Sequence, residues 1–336
     1  MEPLRYIRRT PLFNKSDDVY VAHAKEVEWL SCFKDEMFFQ IPANYSLHSD
    51  ILYKAGKIIG IDAASAATVW ALQLEQGMTC IDTCCAPGIK LCLIQDCIGE
   101  YGTLVGLDVN EQRLDVCYNL LKKFGYQKCI RNIYKVCLGW TVETNNETEL
   151  LENFRMQRKN GSRKFRIKKQ KLNNESVSSP LEKAYERVLV DVQCTHDGSE
   201  RHVEKHEGET GFWRKHGKPG KAREHYDTEE KIEALIQMQQ QLILNGFNLL
   251  SPGGLMVYST CSLQPAQNQE VVEYLFARTG GKAIPGSLPF KLLGENDSNL
   301  PSVPATRVND YSCLFDPDIS GTSGQYIAVI RKISID

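Results

Sequence analysis

The chain lacks any apolar run approaching the roughly 18 residues a membrane-spanning helix needs, so no membrane span is expected. Its start, Met1-Glu2-Pro3-Leu4-Arg5-Tyr6-Ile7-Arg8-Arg9, has no apolar core of the signal-peptide kind. Glu2, Asp17 and Asp18 argue against the acid-poor composition of a transit peptide. Strong charge of either sign is also missing: 40 Lys and Arg against 42 Asp and Glu leave a net charge of -2. With no global field to hold a polyanion, any nucleic-acid surface must be a local basic patch. There is no G-x-G-x-x-G loop, which removes the pyrophosphate cradle of a dinucleotide binder. The 12 cysteines include no Cys-x-x-Cys pair, so neither a structural zinc site nor a disulfide framework is expected. Cys80, Cys92, Cys117 and Cys137 sit among Val, Ile, Leu and Met, where free cysteine acts as a small hydrophobe. A reducing, intracellular setting suits them. Cytoplasm or nucleus is the expected compartment, with the mitochondrion as the alternative.

What is present is an alternation of strand and helix signals. Residues 78–82, 103–108 and 129–137 read as strands, separated by helices over 88–97 and 111–124. A strand at 187–192, a long helix over 229–250 and a strand at 255–260 resume the pattern. A helix over 264–278 and a closing strand at 325–331 end it. Such alternation implies a mostly parallel, doubly wound α/β sheet with right-handed crossovers. Residues 1–45 form a mixed N-terminal extension, and 46–336 one domain carrying polar insertions at about 141–185 and 195–228. The first insertion holds nine Lys or Arg within residues 155–171. It reads equally as a solvated linker or as a phosphate-contacting arm. The second contains His196, His202, His206, His216 and His225, read as solvated loop histidines for want of a convergent ligand set. Trp213 beside Lys215, Lys218, Lys221 and Arg223 suits either base stacking or anchoring on the core.

Two places concentrate chemistry. In Asp82-Thr83-Cys84-Cys85-Ala86-Pro87-Gly88-Ile89-Lys90 a strand ends, a small-residue turn follows and a helix begins. That arrangement aims backbone groups at a ligand over the sheet edge, and Asp108 ends the next strand where an acid can accept ribose hydroxyls. A nucleoside without a pyrophosphate, such as S-adenosylmethionine, fits this turn. At Gly253-Gly254-Leu255-Met256-Val257-Tyr258-Ser259-Thr260-Cys261-Ser262 a buried strand delivers a thiol at its end, and Asp191-Val192-Gln193-Cys194 delivers a second. Carbon-5 of a pyrimidine is too weak a nucleophile to take a methyl group directly. A thiolate adding at carbon-6 makes it an enamine-like carbon that can attack a methylsulfonium. A carboxyl group near ring nitrogen N3 would stabilise the adduct.

With these residues the chain resembles the RNA (cytosine-5) methyltransferases of the NOL1/NOP2/Sun, or RsmB-type, family. The likeness rests on Asp82-x-Cys84-x-Ala86-Pro87-Gly88-x-Lys90, Asp108 with Arg113, Asp191-x-x-Cys194, and Pro252-Gly253-Gly254-x-x-Val257-Tyr258-Ser259-Thr260-Cys261-Ser262. Gly56 through Ser65 and the closing Arg331-Lys332 extend it over about residues 45–335. The resemblance implies a Rossmann-like class I methyltransferase domain that takes S-adenosylmethionine and acts on RNA, a tRNA or an rRNA. It implies Cys261 as the nucleophile, Cys194 as the group that helps break down the adduct, Asp191 against the cytosine ring and Lys90 beside the base. Cys84, Cys85, Ala86, Pro87, Gly88, Lys90, Asp108, Arg113 and Asp191 would line the donor site. The chain departs from the family pattern at Cys85, Ile89 and Gln193, where alanine, glycine and proline are usual, and shows no acid ending its third strand. Those departures keep a second reading open, an inactive RNA-binding scaffold of the same fold. With no room for an added RNA-binding module before residue 45, choice of RNA would fall to the insertions, the extension or a partner protein. A monomer is expected.

Overall fold

A computed structural model of the chain describes residues 5–21, 24–34, 37–42, 44–127, 129, 133–135, 184–198 and 228–334. The basic run at 155–171, residues 136–140 after the third strand, and Trp213 with its neighbouring cations lie outside the described residues. So do His202, His206, His216 and His225. No helix among the described residues is long and apolar enough to cross a membrane.

The chain opens on a small antiparallel sheet. Strands β1 (Arg5–Arg9), β2 (Lys25–Glu26), β3 (Phe38–Ile41) and β4 (Ile58–Gly60) pair in the order β2-β3-β1-β4. The expected boundary at 45/46 therefore falls inside this unit, whose fourth strand comes from 58–60. Successive side chains of a strand face opposite ways. Ile7 accordingly packs with Phe39, Ile41, Leu52 and Ile58 on one face, while Tyr6 and Arg8 turn toward the larger domain. Two short helices, α1 (Glu28–Ser31) and α2 (Ile51–Lys54), sit within this unit, and α3 (Ala63–Trp70) leads out of it. Asp62 caps α3 by accepting the Ala64 N–H at 3.0 Å, and its run of alanines is almost wholly buried.

The main sheet uses β5 (Thr79–Asp82), β6 (Thr103–Asp108), β7 (Ile133–Lys135), β8 (Tyr185–Asp191) and β9 (Leu250–Thr260). It continues with β10 (Ala283–Pro285), β11 (Thr306–Asn309), β12 (Ser312–Phe315) and β13 (Gln325–Lys332). Its order is β11-β12-β13-β9-β8-β5-β6-β7, with β10 added on β13. Strands β7, β6, β5, β8 and β9 are parallel, and β13 runs antiparallel to β9. Helices α4 (Ile89–Ile98) and α5 (Glu111–Lys123) link β5 to β6 to β7 on one face. Helices α6 (Glu229–Leu249) and α7 (Gln269–Arg278) cover the other. The alternation of β9 shows the two layers directly: Leu255 and Val257 join the first core, Met256 and Tyr258 the second. Strand β9 begins earlier than the expected turn at Pro252-Gly253-Gly254. Those residues form a register irregularity against β8 instead of a break between helix and strand.

The chain leaves β5 toward β6 on one side and returns as β8 on the other. The crevice at the carboxyl ends of β5 and β8 is thus the topological switch point, where doubly wound sheets bind ligands. Arg8 ties the first sheet to this domain. Fully buried, it donates to Asp96 Oδ2 at 2.6 Å on α4 and to the Tyr126 hydroxyl at 3.0 Å. Removing one partner of such a pair strands the other charge. Asp96→Ala is expected to lower unfolding free energy by about 3–5 kcal/mol in urea titrations, well beyond a surface carboxylate such as Asp318→Ala.

Candidate active site

Strand β8 pairs with β9 so that Asp191 lies opposite Ser259. Cys194 follows three residues after the first and Cys261 two after the second, and their sulfurs come within 3.2 Å. The Cys261 turn is pinned from behind. Thr260 donates its hydroxyl to Asn268 Oδ1 at 2.6 Å, and the Asn268 amide donates to the Ser262 carbonyl at 2.9 Å. On the other side the turn after β8 is held by side-chain amides. Gln239 of α6 donates to the Gln193 carbonyl at 2.9 Å, and the Thr195 N–H donates to Gln267 Oε1 at 3.1 Å. These bonds fix a turn that has no proline to stiffen it.

Residues 195–198, expected to open a solvated insertion, belong to the site. Asp197 accepts the Thr195 hydroxyl at 2.6 Å, and the Gly198 N–H donates to the Cys261 carbonyl at 3.1 Å. Gly198 must stay glycine for this approach, since a Cβ there would stand 2.7 Å from the Cys261 carbonyl oxygen. Held in this way, His196 points Nδ1 at Cys261 Sγ, 2.9 Å away, with Cys194 Sγ at 3.8 Å. The reading of His196 as a solvated loop residue is therefore corrected. Its one visible signal was its place two residues after Cys194 in a Thr-His-Asp-Gly turn sequence.

Burial resists ionisation of Cys194, but its hydrogen bonds with Cys261 and His196 outweigh burial and bring that thiol down to about 6. The same shared bond, together with burial, pushes the Cys261 thiol up. The two sulfurs thus behave as one titrating pair. Burial works against charge on His196 too, yet Cys194 tips it toward the imidazolium. The sulfur and nitrogen atoms of Cys194, His196 and Cys261 lie within 4.8 Å of one another. A tetrahedral zinc ion would hold its two sulfurs about 3.8 Å apart, given bonds of about 2.3 Å. The observed 3.2 Å is a hydrogen-bonded contact.

Charged groups complete the cleft. Lys90, from the first turn of α4, reaches Asp191 Oδ2 at 2.8 Å. Ser259 donates to Asp191 Oδ1 at 2.6 Å. Burial opposes the Lys90 charge, but Asp191 more than offsets it and keeps the ammonium protonated. At the next strand end, Asp108 accepts N–H groups from Ala86 at 3.2 Å and Asn110 at 2.9 Å. Arg113 stands 3.7 Å from Asp108 and donates to the Ala86 carbonyl.

A cavity of about 1040 Å³ joins the two halves, running from Asp108, Val109 and Arg113 past Cys84, Ala86 and Pro87 to Asp191 and Cys261. Helix α6 closes it with Met238, Gln241, Leu242 and Asn245. That volume admits a nucleoside-sized donor together with a base. The Asp108 end could hold an adenosyl group: it has apolar walls, a strand-end carboxylate to accept hydroxyls and, among the described residues, no cluster of cations for a pyrophosphate.

Of the residues expected from sequence, Cys84, Ala86, Pro87, Lys90, Asp108, Arg113, Asp191 and Cys261 line this cavity. Cys194 lies fully buried directly behind Cys261. Two others sit elsewhere. Cys85 turns into the core against Cys117, and the hydrogen bond with Cys117, together with burial, keeps its thiol protonated. Gly88 caps α4 with φ 101°, packed so close to Cys117 that a Cβ would meet its sulfur at 2.7 Å. Ile89 packs against the core beside them. The α6 wall was not foreseen as lining, because a helix read by its apolar period reveals its core face and not its edge.

A doubly wound sheet of this order, with acid-tipped strands and a cavity at its switch point, defines a Rossmann-like class I methyltransferase fold. The same fold is seen in a methyltransferase homolog protein from Pyrococcus horikoshii, with TM-score 0.64 and 20% identity, covering 98% of this chain and 87% of that one. The family model for 16S rRNA methyltransferase RsmB/F matches residues 69–287, and the chain belongs to that family. The resemblance read from its motifs is thereby borne out. The chain is 25% identical over 341 residues to the mouse 28S rRNA (cytosine-C(5))-methyltransferase, covering 96% of this chain and 59% of that protein. It is 23% identical over 266 residues to the tRNA (cytosine(49)-C(5))-methyltransferase of Pyrococcus abyssi, covering 79% of this chain and 68% of that protein. Against the mouse enzyme and the ribosomal RNA small subunit methyltransferase F of Vibrio vulnificus, the chain spans 59% of each relative's length.

One carboxylate leaves a measurable signature. Burial, reinforced by the Asp191 charge, pushes the Asp82 carboxyl up to about 7. Between about pH 4, its ordinary range, and pH 7 the native state holds a proton that the unfolded chain has released. Stability from this group is therefore present at low pH and lost as pH rises through that window. Asp82→Asn should flatten that decline, so its urea midpoint relative to the parent rises from pH 5 to pH 7.5.

Proposed function

We propose that the chain methylates carbon-5 of a cytosine in RNA, using S-adenosylmethionine and a covalent bond between Cys261 and carbon-6 of the base. The observation that carries this is the pair of sulfurs 3.2 Å apart at one end of a cavity whose other end is tipped by Asp108. A protein or small-molecule methyltransferase has no use for such a pair. Cys84, Ala86, Pro87, Asp108 and Arg113 would hold the methyl donor, which would supply an electrophilic methyl group.

The remaining work falls to side chains of the chain. Cys261, at the cavity edge, adds as thiolate to carbon-6, and electron density moves through the ring to N3 and O2. Asp191, fixed by Ser259 and Lys90, presents a carboxyl group to the ring edge. Lys90 places a cation beside the ring, where the charge of the adduct develops. Once carbon-5 carries the methyl group and loses its proton to solvent water, the carbon-5 to carbon-6 double bond re-forms and the Cys261 sulfur leaves. Cys194, in hydrogen-bond contact with that sulfur, assists the release. A stacked cytosine hides carbon-6, so the target base must lie in a loop or be flipped out.

The relatives named above act on rRNA and on tRNA, which supports an RNA of one of these classes as substrate. The scaffold reading loses its ground where the departures are accommodated. Ile89 is partly buried against the core and does not line the cleft, and amide bonds from Gln239 and Gln267 replace the missing proline constraint.

In SDS gels, Cys194→Ala incubated with cellular RNA and S-adenosylmethionine should retain a covalent protein–RNA band that maps to Cys261. Cys261→Ala should show no band and should methylate at least about 10³-fold more slowly. Equal behaviour of the two variants would refute the covalent mechanism.

A further inference from the structure

The site contains a group that the covalent mechanism as described does not use. His196 places a nitrogen base against the proposed nucleophile, with Nδ1 2.9 Å from Cys261 Sγ. Its backbone adopts φ 56°, a left-handed conformation that only a few per cent of non-glycine residues take. Such a conformation persists where surroundings over-determine it. Here Asp197 is bonded to Thr195 and also accepts the Leu263 N–H at 3.3 Å. Gly198 is clamped between the Cys261 carbonyl and Gly324, whose N–H donates to the Gly198 carbonyl at 2.6 Å. Both flanks of the turn are tied to the loop that carries Cys261 or to the chain beside β13. The imidazole is thus held against the thiol by the same contacts that shape the site.

We infer that His196 is a catalytic base for Cys261, holding the thiol proton on Nδ1 while the sulfur is bonded to the base and returning it when the sulfur leaves. The inference rests on the reading of Cys261 as nucleophile. As the S–C6 bond forms, the S–H bond breaks and its proton passes to Nδ1. When the carbon-5 proton has been lost and the S–C6 bond breaks, the bonding pair returns to sulfur and the imidazolium reprotonates it. The net proton released is the one from carbon-5, so the cycle balances. The titratable and charged groups around the imidazole are Cys194, Cys261, Asp191 and Arg113, and Lys90 acts on the Cys261 side. Cys194, which draws His196 toward the imidazolium, competes for the same proton, and His196 accepts the Cys261 proton only from its neutral form, so it is best isolated in a chain that lacks the Cys194 thiol.

His196→Gly in the Cys194→Ala background serves as the test. Glycine accepts the left-handed backbone without strain and leaves a ring-sized space. Alkylation of Cys261 by iodoacetamide, followed by peptide mass spectrometry against pH, needs no RNA. Its midpoint should move up by at least about one pH unit when the imidazole is removed. With cellular RNA and S-adenosylmethionine at pH 7, the covalent adduct should form about 10²-fold more slowly and recover in part with added imidazole. An unchanged alkylation midpoint overturns the inference whatever the RNA result. A shifted midpoint in a protein whose Cys194→Ala parent forms no adduct overturns Cys261 as the nucleophile, and His196's part in catalysis with it. A slowed reaction with an unmoved midpoint and no imidazole rescue assigns His196 a merely structural role.

Discussion

The parallel ladder between β8 and β9 is the constraint on which this site depends. Asp191 opposite Ser259 sets how far each strand runs before it turns, and so where Cys194 and Cys261 emerge. Because side chains alternate with period two, a slip of one residue would exchange the two faces of β9. Leu255 and Val257 would then trade layers with Met256 and Tyr258, at the cost of both cores. The register that packs the interior is therefore the register that brings the sulfurs together. Stability of the sheet and geometry of the thiols are one property.

The cleft above that ladder gathers three strand-end carboxylates, Asp82, Asp108 and Asp191, against two cations from the helices that begin there. Each acid is handled differently. Asp191 is paired with Lys90, and Asp108 is held by backbone N–H groups near Arg113. Asp82, fully buried and bonded chiefly to the Cys84 N–H, is the one that keeps its proton up to about 7. Burial first, and then the Asp191 charge, favours the protonated form of Asp82. The protons that the cleft shifts therefore lie on Asp82, on the thiol pair and on His196.

Much of this was legible in the residues. The period of apolar positions marked β5, β6, β8, β9 and the helices between them, and the turn from Asp82 to Lys90 marked the donor side. Cys84, Asp108, Asp191 and Cys261 could be named because each sits at a strand end, where the period breaks and a side chain must face the edge. Other parts left no local trace. The first sheet is built from strands of two to five residues, too short for a period to emerge, and β4 lies beyond the boundary expected from composition. Residues 195–198 are polar and were indistinguishable from the insertion that follows. Only their bonds to Cys261, Leu263 and Gly324, more than sixty positions away in sequence, separate them.

By itself the sequence determined the layered α/β fold and the residue types that stand at its strand ends. Both are written in local pattern, in apolar alternation and in residue types whose chemistry does not depend on neighbours. Tertiary structure decided which of those side chains act together. Cys85 was drawn into the core because the space beside Cys117 is apolar and closed. His196 was drawn to Cys261 by a turn pinned at Thr195 and Gly198. Proximity between distant segments is a property of packing and strand register, and no window of sequence contains it.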